Sequence, residues 1–320
     1  MKSKFVGCLV GSAVGDALGS LFEGLWVSDL GFDGYSGRWT DDTHMMIGVA
    51  ESLISCGGFD GSHMAQTFIK NYEEEPWRGY ASGPPQIFRL IKKGLAWNEA
   101  SKRLFGGLGS YGNGAAMRVA PVGLLHYDNE ERLRSVAYAQ SQITHAHELG
   151  MEGAAIQAYA VALAVKADSS SNLDPHNFLG KIKDFTRSEV YRQKIEKCFE
   201  LLNETNKRKV ARELGNGVEA YNSVPAAVYS FSRNVDSFKD AVTYAVSLGG
   251  DTDTIGAMTG AISGAYHGVG KIPEEWKNRL EKIDYIEKLA EGLWNLKNKK
   301  GGWNISFSCN AKGVKLHLEI

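Results

Sequence analysis

The stretch GGDTDTIGAMTGAISGAYHG, residues 249–268, reads as a buried helix with one flat face. Gly256, Gly260, Gly264 and Gly268 recur at a four-residue step with Ala257, Ala261 and Ala265 beside them, and a stripe of small residues lets a second backbone come close. The apolar part, Ile255 to Gly270, falls short of the about 20 residues that a membrane span needs. Asp251 and Asp253 stand at its start. The same design occurs in GRWTDDTHMMIG, residues 37–48, where Asp41 and Asp42, flanked by Thr40 and Thr43, open onto another apolar run.

Outward from these two segments, helical periodicity dominates. Residues 43–55, 64–74, 129–145, 150–167, 192–214 and 236–248 all carry apolar side chains at three- and four-residue steps, and alternating patterns are almost absent before residue 300. MKSKFVGCLVGSAVGDALGS, residues 1–20, is interrupted too often by Gly11, Gly15, Asp16 and Gly19 for a signal peptide and reads as a first core helix. The expected fold is all-α. Residues 303–320 alternate strictly around NAKG and read as a β-hairpin, so the chain divides into a helical domain over 1–300 and an accessory hairpin over 301–320.

A chain of 320 residues, 43% hydrophobic, can bury a large core. With 36 basic and 37 acidic residues it has no overall field to hold nucleic acid or an anionic membrane, so an acidic ligand must be caught locally. Cys8, Cys56, Cys198 and Cys309 show no zinc-ligand spacing, and a reducing cytoplasmic setting is the expectation.

Hard divalent cations, Mg²⁺ above all, take oxygen ligands, and carboxylates with threonine hydroxyls are that set. Thr40, Asp41, Asp42, Asp251, Asp253 and Thr254 would together suit two metal ions. Helix capping explains one cluster by itself. It does not explain four carboxylates, which would repel one another if brought together without a cation.

Three further features belong with the clusters. GLGSYGNGAAMRVAP, residues 107–121, is a glycine-rich loop whose free N–H groups, ahead of an expected helix that already includes Arg118, suit phosphate oxygens. Its formal match to a dinucleotide fingerprint, with Asp128 as acid, lacks the preceding strand, because residues 98–105 read as helix. Glu23 lies on a segment punctuated by Gly24, Gly31, Gly34 and Gly37, and a carboxylate there suits general acid–base work. His145 reads equally as a ligand contact or a helix-end cap.

GDALGSLFEG, WTDDTHMM, GSYGNGAAMRVAP, THAHELG and GGDTDTIGAMTGAISGAYHG follow one another in the order and approximate spacing of the ADP-ribosylglycohydrolase family, which the chain resembles from about residue 4 to about 295. That family includes the dinitrogenase reductase activating glycohydrolases and the ADP-ribosylserine hydrolases, and GSYGNG is closer to the serine and poly(ADP-ribose) branch. The resemblance implies an orthogonal multi-helix bundle, two Mg²⁺ ions and Mg-dependent hydrolysis at the anomeric carbon of ADP-ribose. ADP-ribosylated protein is the implied substrate, with polymer or O-acetyl-ADP-ribose as further candidates. It implies metal ligands at Thr40, Asp41, Asp42, Asp251, Asp253 and Thr254, and a catalytic Glu23 on a flap. It further implies that Ser110, Gly112, Asn113 and Gly114 cradle the diphosphate with Gly109 beside them, that Tyr111 and Phe105 stack on the adenosine side, and that His145 contacts the ligand.

His44, His147 and Glu148 depart from the family pattern and bear on substrate preference, while the terminal hairpin lies outside the family core. A non-catalytic ADP-ribose-binding relative and a metal-dependent phosphohydrolase stand as the competing readings, and the chain alone leaves its oligomeric state open.

Overall fold

The computed structural model describes residues 1–25, 31, 34–169 and 172–299, so the hairpin expected at 303–320 lies outside the described residues. The helices run in the order α1 Lys2–Gly19, α2 Asp41–Cys56, α3 Gly61–Glu74, α4 Gly83–Lys92, α5 Trp97–Ala100, α6 Ala120–Leu125, α7 Glu130–Gln142 and α8 Glu148–Lys166. They continue with α9 Pro175–Phe185, α10 Glu189–Leu201, α11 Lys207–Leu214, α12 Ala220–Arg233, α13 Phe238–Val246, α14 Thr252–His267, α15 Glu274–Lys277 and α16 Ile283–Lys299. Among the described residues there is no sheet, only an isolated antiparallel bridge between Gly112 and Glu219. The all-α expectation holds.

The bundle is organised on one helix pair. The glycine stripe of α14 meets a second stripe on α1, with Gly7 against Gly264, Gly11 against Gly260 and Gly15 against Gly256. A Cβ on Gly15 would lie 2.0 Å from the Gly256 carbonyl oxygen, so the two backbones touch directly. The pairing is antiparallel, which brings the end of α1 beside the start of α14. There the Thr252 hydroxyl donates to the Gly19 carbonyl at 2.7 Å, and the Gly24 N–H donates to the Gly250 carbonyl at 2.9 Å.

On its other side α1 holds the start of α2 through Asp16, a carboxylate buried completely in an otherwise apolar helix. It accepts from the N–H and hydroxyl of Thr40 (3.0 and 2.9 Å) and from the N–H and hydroxyl of Thr43 (3.0 and 2.6 Å). Burial pushes the Asp16 carboxyl up to about 6 against the pull of these four bonds. Thr40 is the N-cap of α2, its hydroxyl accepting from the Asp42 N–H.

Two local expectations are corrected. The periodic run over 192–214 breaks into α10 and α11, because the Asn206 side chain accepts from the Lys209 N–H and starts a new helix after a polar turn. The helix after the glycine loop begins at Ala120, so Arg118 precedes it rather than lying inside it. No helix among the described residues is long and apolar enough to cross a membrane.

Candidate metal and nucleotide site

The antiparallel pair and the Asp16 anchor bring both acid clusters to one cleft of about 270 Å³, lined by Glu23, Thr40, Asp41, Asp42, Asp251, Asp253 and Thr254 together with Ser110, Gly112, Asn113, Gly114 and His145. A larger cavity of about 520 Å³ lies between α8 and α9, lined by side chains of both signs, among them Glu130, Lys166, Asp174 and Lys181, and contains none of the residues singled out above.

Carboxylate oxygens of Glu23, Asp251 and Asp253 lie within 4.8 Å of one another. Glu23, expected as an acid–base group, therefore sits at ligating distance from two expected metal ligands. Burial pushes the carboxyls of Asp41, Asp42 and Asp253 above the usual range, and neighbouring acids push further: Asp16 on Asp41, Asp253 on Asp42, Asp251 on Asp253. Asp42 Oδ1 is buried without a hydrogen-bond partner. An orphaned carboxylate oxygen amid mutually repelling acids, with an all-oxygen donor set, fits a hard divalent cation.

Asn113 adds a contact that the loop motif did not reveal. Its carboxamide nitrogen donates to Asp251 Oδ2 and to the Ser223 hydroxyl, which orients one acid of the cluster. Around it the loop is paired with the segment before α12: the Asn113 N–H donates to the Val218 carbonyl at 2.9 Å and the Ala220 N–H to the Tyr111 carbonyl at 3.0 Å. The Gly112 N–H donates to Ser110 Oγ at 3.1 Å. The expectation that the loop's N–H groups are free is thus corrected at Gly112 and Asn113, and also at Gly107, Leu108 and Gly109, which donate to the carbonyls of Leu104 and Phe105. Gly114 is the second residue of the 3₁₀ turn Asn113–Ala115, where an N–H group has no earlier carbonyl in register.

The glycines serve two ends. Gly109 has φ +72°, and a Cβ there would meet the His147 nitrogen at 2.9 Å. Gly112 and Gly114 do not adopt positive φ; what excludes a side chain at Gly114 is the His145 ring, whose Cε1 would lie 2.6 Å from an added Cβ.

His145 caps nothing; that is the work of His147, whose Nδ1 accepts from the Leu149 N–H at the start of α8. The fully buried Arg118 guanidinium donates to Gln140 Oε1 at 2.8 Å and to the Thr144 hydroxyl at 2.7 Å. A guanidinium only donates, so the Thr144 oxygen accepts there and keeps its own hydrogen for a further partner, with His145 Nδ1 2.8 Å away. With that hydrogen directed to Nδ1, the ring hydrogen sits on Nε2, the nitrogen that faces Gly114 and the cleft. Burial first, and the Arg118 charge second, bring the His145 pKa down to about 3. The imidazole is a neutral donor across pH 5–8. Nitrogen NMR of the labelled ring is expected to show a protonated Nε2 and no titration near pH 6.5; Thr144→Val frees the tautomer, and an unaltered ring spectrum in that variant would contradict the relay.

The departures fall around the cleft. His147 sets its ring edge-on to Tyr111 at 5.4 Å, and His44 is buried behind the acids with the Tyr80 hydroxyl 3.0 Å from its Nδ1. Glu148 is exposed in the first turn of α8 and does not line the cleft. Phe105 and Tyr111 are exposed and line an adjoining cavity rather than the acid cleft itself. Asp16, Gly79, Ala81, Pro84, Val218 and Glu219 were not among the expected site residues. Asp16 alone carried a signal, as a charge within an apolar helix.

The family profile described as ADP-ribosylglycohydrolase matches residues 1–302. The ADP-ribosylhydrolase ARH3 of Homo sapiens is 34% identical, over 91% of this chain and 93% of that protein. The ADP-ribosylarginine hydrolase Tri1 of Serratia proteamaculans is 28% identical, over 91% of this chain and 79% of its own length. A solved structure of an ADP-ribosylglycohydrolase-related protein complex superposes with a TM-score of 0.74 at 27% identity, covering 92% of this chain and 98% of that one.

Proposed function

Since the chain belongs to the ADP-ribosylglycohydrolase family, we propose that it hydrolyses the N- or O-glycosidic bond at the anomeric carbon of ADP-ribose conjugates, releasing ADP-ribose from modified protein with the help of two Mg²⁺ ions. The observation that supports this most is the convergence of Glu23, Asp41, Asp42, Asp251 and Asp253 on one cleft floored by the glycine loop.

In this reading Thr40, Asp41, Asp42, Asp251, Asp253 and Thr254 hold the cations, with Asp16 and Asn113 fixing the first turn of α2 and the Asp251 carboxylate. Bound magnesium would grip ribose hydroxyls and orient the sugar. The chain's own groups do the rest. The Gly114 N–H and the His145 Nε2–H donate to the diphosphate, which needs no net positive charge on the protein. Tyr111 and Phe105 bracket the base. Glu23 takes the proton of the attacking water and gives it up to the leaving atom, whose bond to the anomeric carbon breaks through an oxocarbenium-like state.

Glu23→Gln is the test. It keeps the size and the hydrogen-bonding capacity of the side chain while removing the base, so turnover is expected to fall by at least about a hundredfold with ADP-ribose affinity nearly unchanged. Unchanged turnover in this variant removes Glu23 from the mechanism.

A further inference from the structure

Beyond Ser110 and Gly112 the acid cleft continues into a cavity of about 230 Å³, walled by Phe105, Tyr111, Val218 and Glu219. Among the described residues, Glu219 is the only charged one that lines it. It occupies the N-cap position of α12 but makes no side-chain capping bond. Its side chain is one methylene longer than that of aspartate, the acid favoured at that position. Its backbone is instead fixed opposite Gly112, and its carbonyl accepts from the Ser223 hydroxyl at 3.1 Å. The Asn222 carboxamide donates to Oε2 at 3.2 Å, the one hydrogen bond to this carboxylate among the described residues, and the residue lines the cavity. A carboxylate beside a diphosphate subsite opposes binding unless a donor on the ligand meets it.

We infer that Glu219 reads the nucleobase, accepting a hydrogen bond from the exocyclic amine of a 6-aminopurine and disfavouring the 6-oxo group of hypoxanthine or guanine. The inference rests on the reading that Tyr111 and Phe105 bracket the base of ADP-ribose. The aromatic walls supply sequence-tolerant stacking, since every base has a π-face. Selection between purines needs an edge contact, and Glu219 is the side chain placed to make one. The 6-oxo group would face a carboxylate with no donor between them.

Calorimetric titration of ADP-ribose and of its inosine counterpart into the full chain tests this. Wild type is expected to prefer ADP-ribose by roughly ten- to a hundredfold, the range for one hydrogen bond to a charged acceptor. Glu219→Ala brings the two affinities together by weakening ADP-ribose. Glu219→Gln, which keeps the Asn222 contact and presents either an oxygen or an N–H to the base, binds both nucleotides alike. Tyr111→Ala weakens both nucleotides equally. Equal affinities in wild type, or a preference that survives Glu219→Ala, would overturn the base-reading role while leaving the ADP-ribose site in place. A wild-type protein that binds neither nucleotide removes the site reading itself.

Discussion

Gly15→Val leaves little folded protein. The Cβ alone would stand 2.0 Å from the Gly256 carbonyl oxygen and 2.9 Å from the Ala257 nitrogen, and both are backbone atoms of a buried helix that cannot rotate away. Ordinary overpacking costs about 1–3 kcal/mol because side chains and backbone adjust. Here the only adjustment is separation of α1 from α14 along the whole stripe, which places the cost among the exceptional losses above about 4–5 kcal/mol, against a total stability of about 5–15 kcal/mol. Any residual folded fraction is expected to be inactive, since α1 also carries Asp16 and leads directly into Glu23. Gly180→Ala in α9 is the control: nothing lies within 4 Å of the added methyl, and the change is expected to be neutral or stabilising by up to about 1 kcal/mol. Thermal melts followed by circular dichroism compare the two, and a Gly15→Val protein melting with wild type would refute the direct backbone contact.

Asp42→Asn is expected to act in opposite directions on metal-free stability and on function. Burial, then the charges of Asp253, Asp16, Asp41 and Asp251, raise the Asp42 carboxyl well above its usual range, and Oδ1 has no partner. A carboxyl whose pKa is raised on folding stabilises the protein below its unfolded value and loses that contribution as pH rises through the folded one. Metal-free wild type therefore loses stability as pH rises from about 4 toward neutrality, with Asp41 titrating at about 7 and Asp42 and Asp253 also displaced upward. The asparagine variant, relieved of the cost of burying one acid, melts a few degrees higher than wild type in chelator at neutral pH, at about 2 °C per kcal/mol, the low end of the range for chains somewhat shorter than this one. Added Mg²⁺ reverses the order, since wild type gains about 2.7 kcal/mol at a hundred times its dissociation constant and the variant loses most of that gain. Turnover in the variant falls by about 10²–10³, the scale for losing a preorganised electrostatic contact. If Mg²⁺ stabilises both proteins equally, Asp42 is not a ligand.

These two experiments probe features that were unequally legible in the sequence. The glycine stripe on α14 was evident from its four-residue step, yet its partner on α1, Gly7, Gly11, Gly15 and Gly19, repeats at the same step, and of these Gly11, Gly15 and Gly19 read only as interruptions of an apolar run. Which stripe meets which is a long-range fact, and periodicity reports only that a face exists. The acids were legible because four carboxylates at two helix starts exceed what capping needs. Asn113 was legible as a site residue but not as the group that orients Asp251, since that contact needs α12 and α14 side by side. Val218 and Glu219 belong to no motif; their place follows from the pairing of residues 218–220 with the loop at 111–113. The histidine of THAHELG that caps a helix proved to be His147 rather than His145, a distinction set by backbone geometry at the start of α8.

The most direct measurement of the account is product analysis by mass spectrometry after incubation of an ADP-ribosylated peptide with the protein, in Mg²⁺ and in chelator. The predicted result is unmodified peptide and intact ADP-ribose in Mg²⁺, with cleavage lost in chelator. Release of AMP with phosphoribosyl left on the peptide, or binding of ADP-ribose without any cleavage, would contradict it.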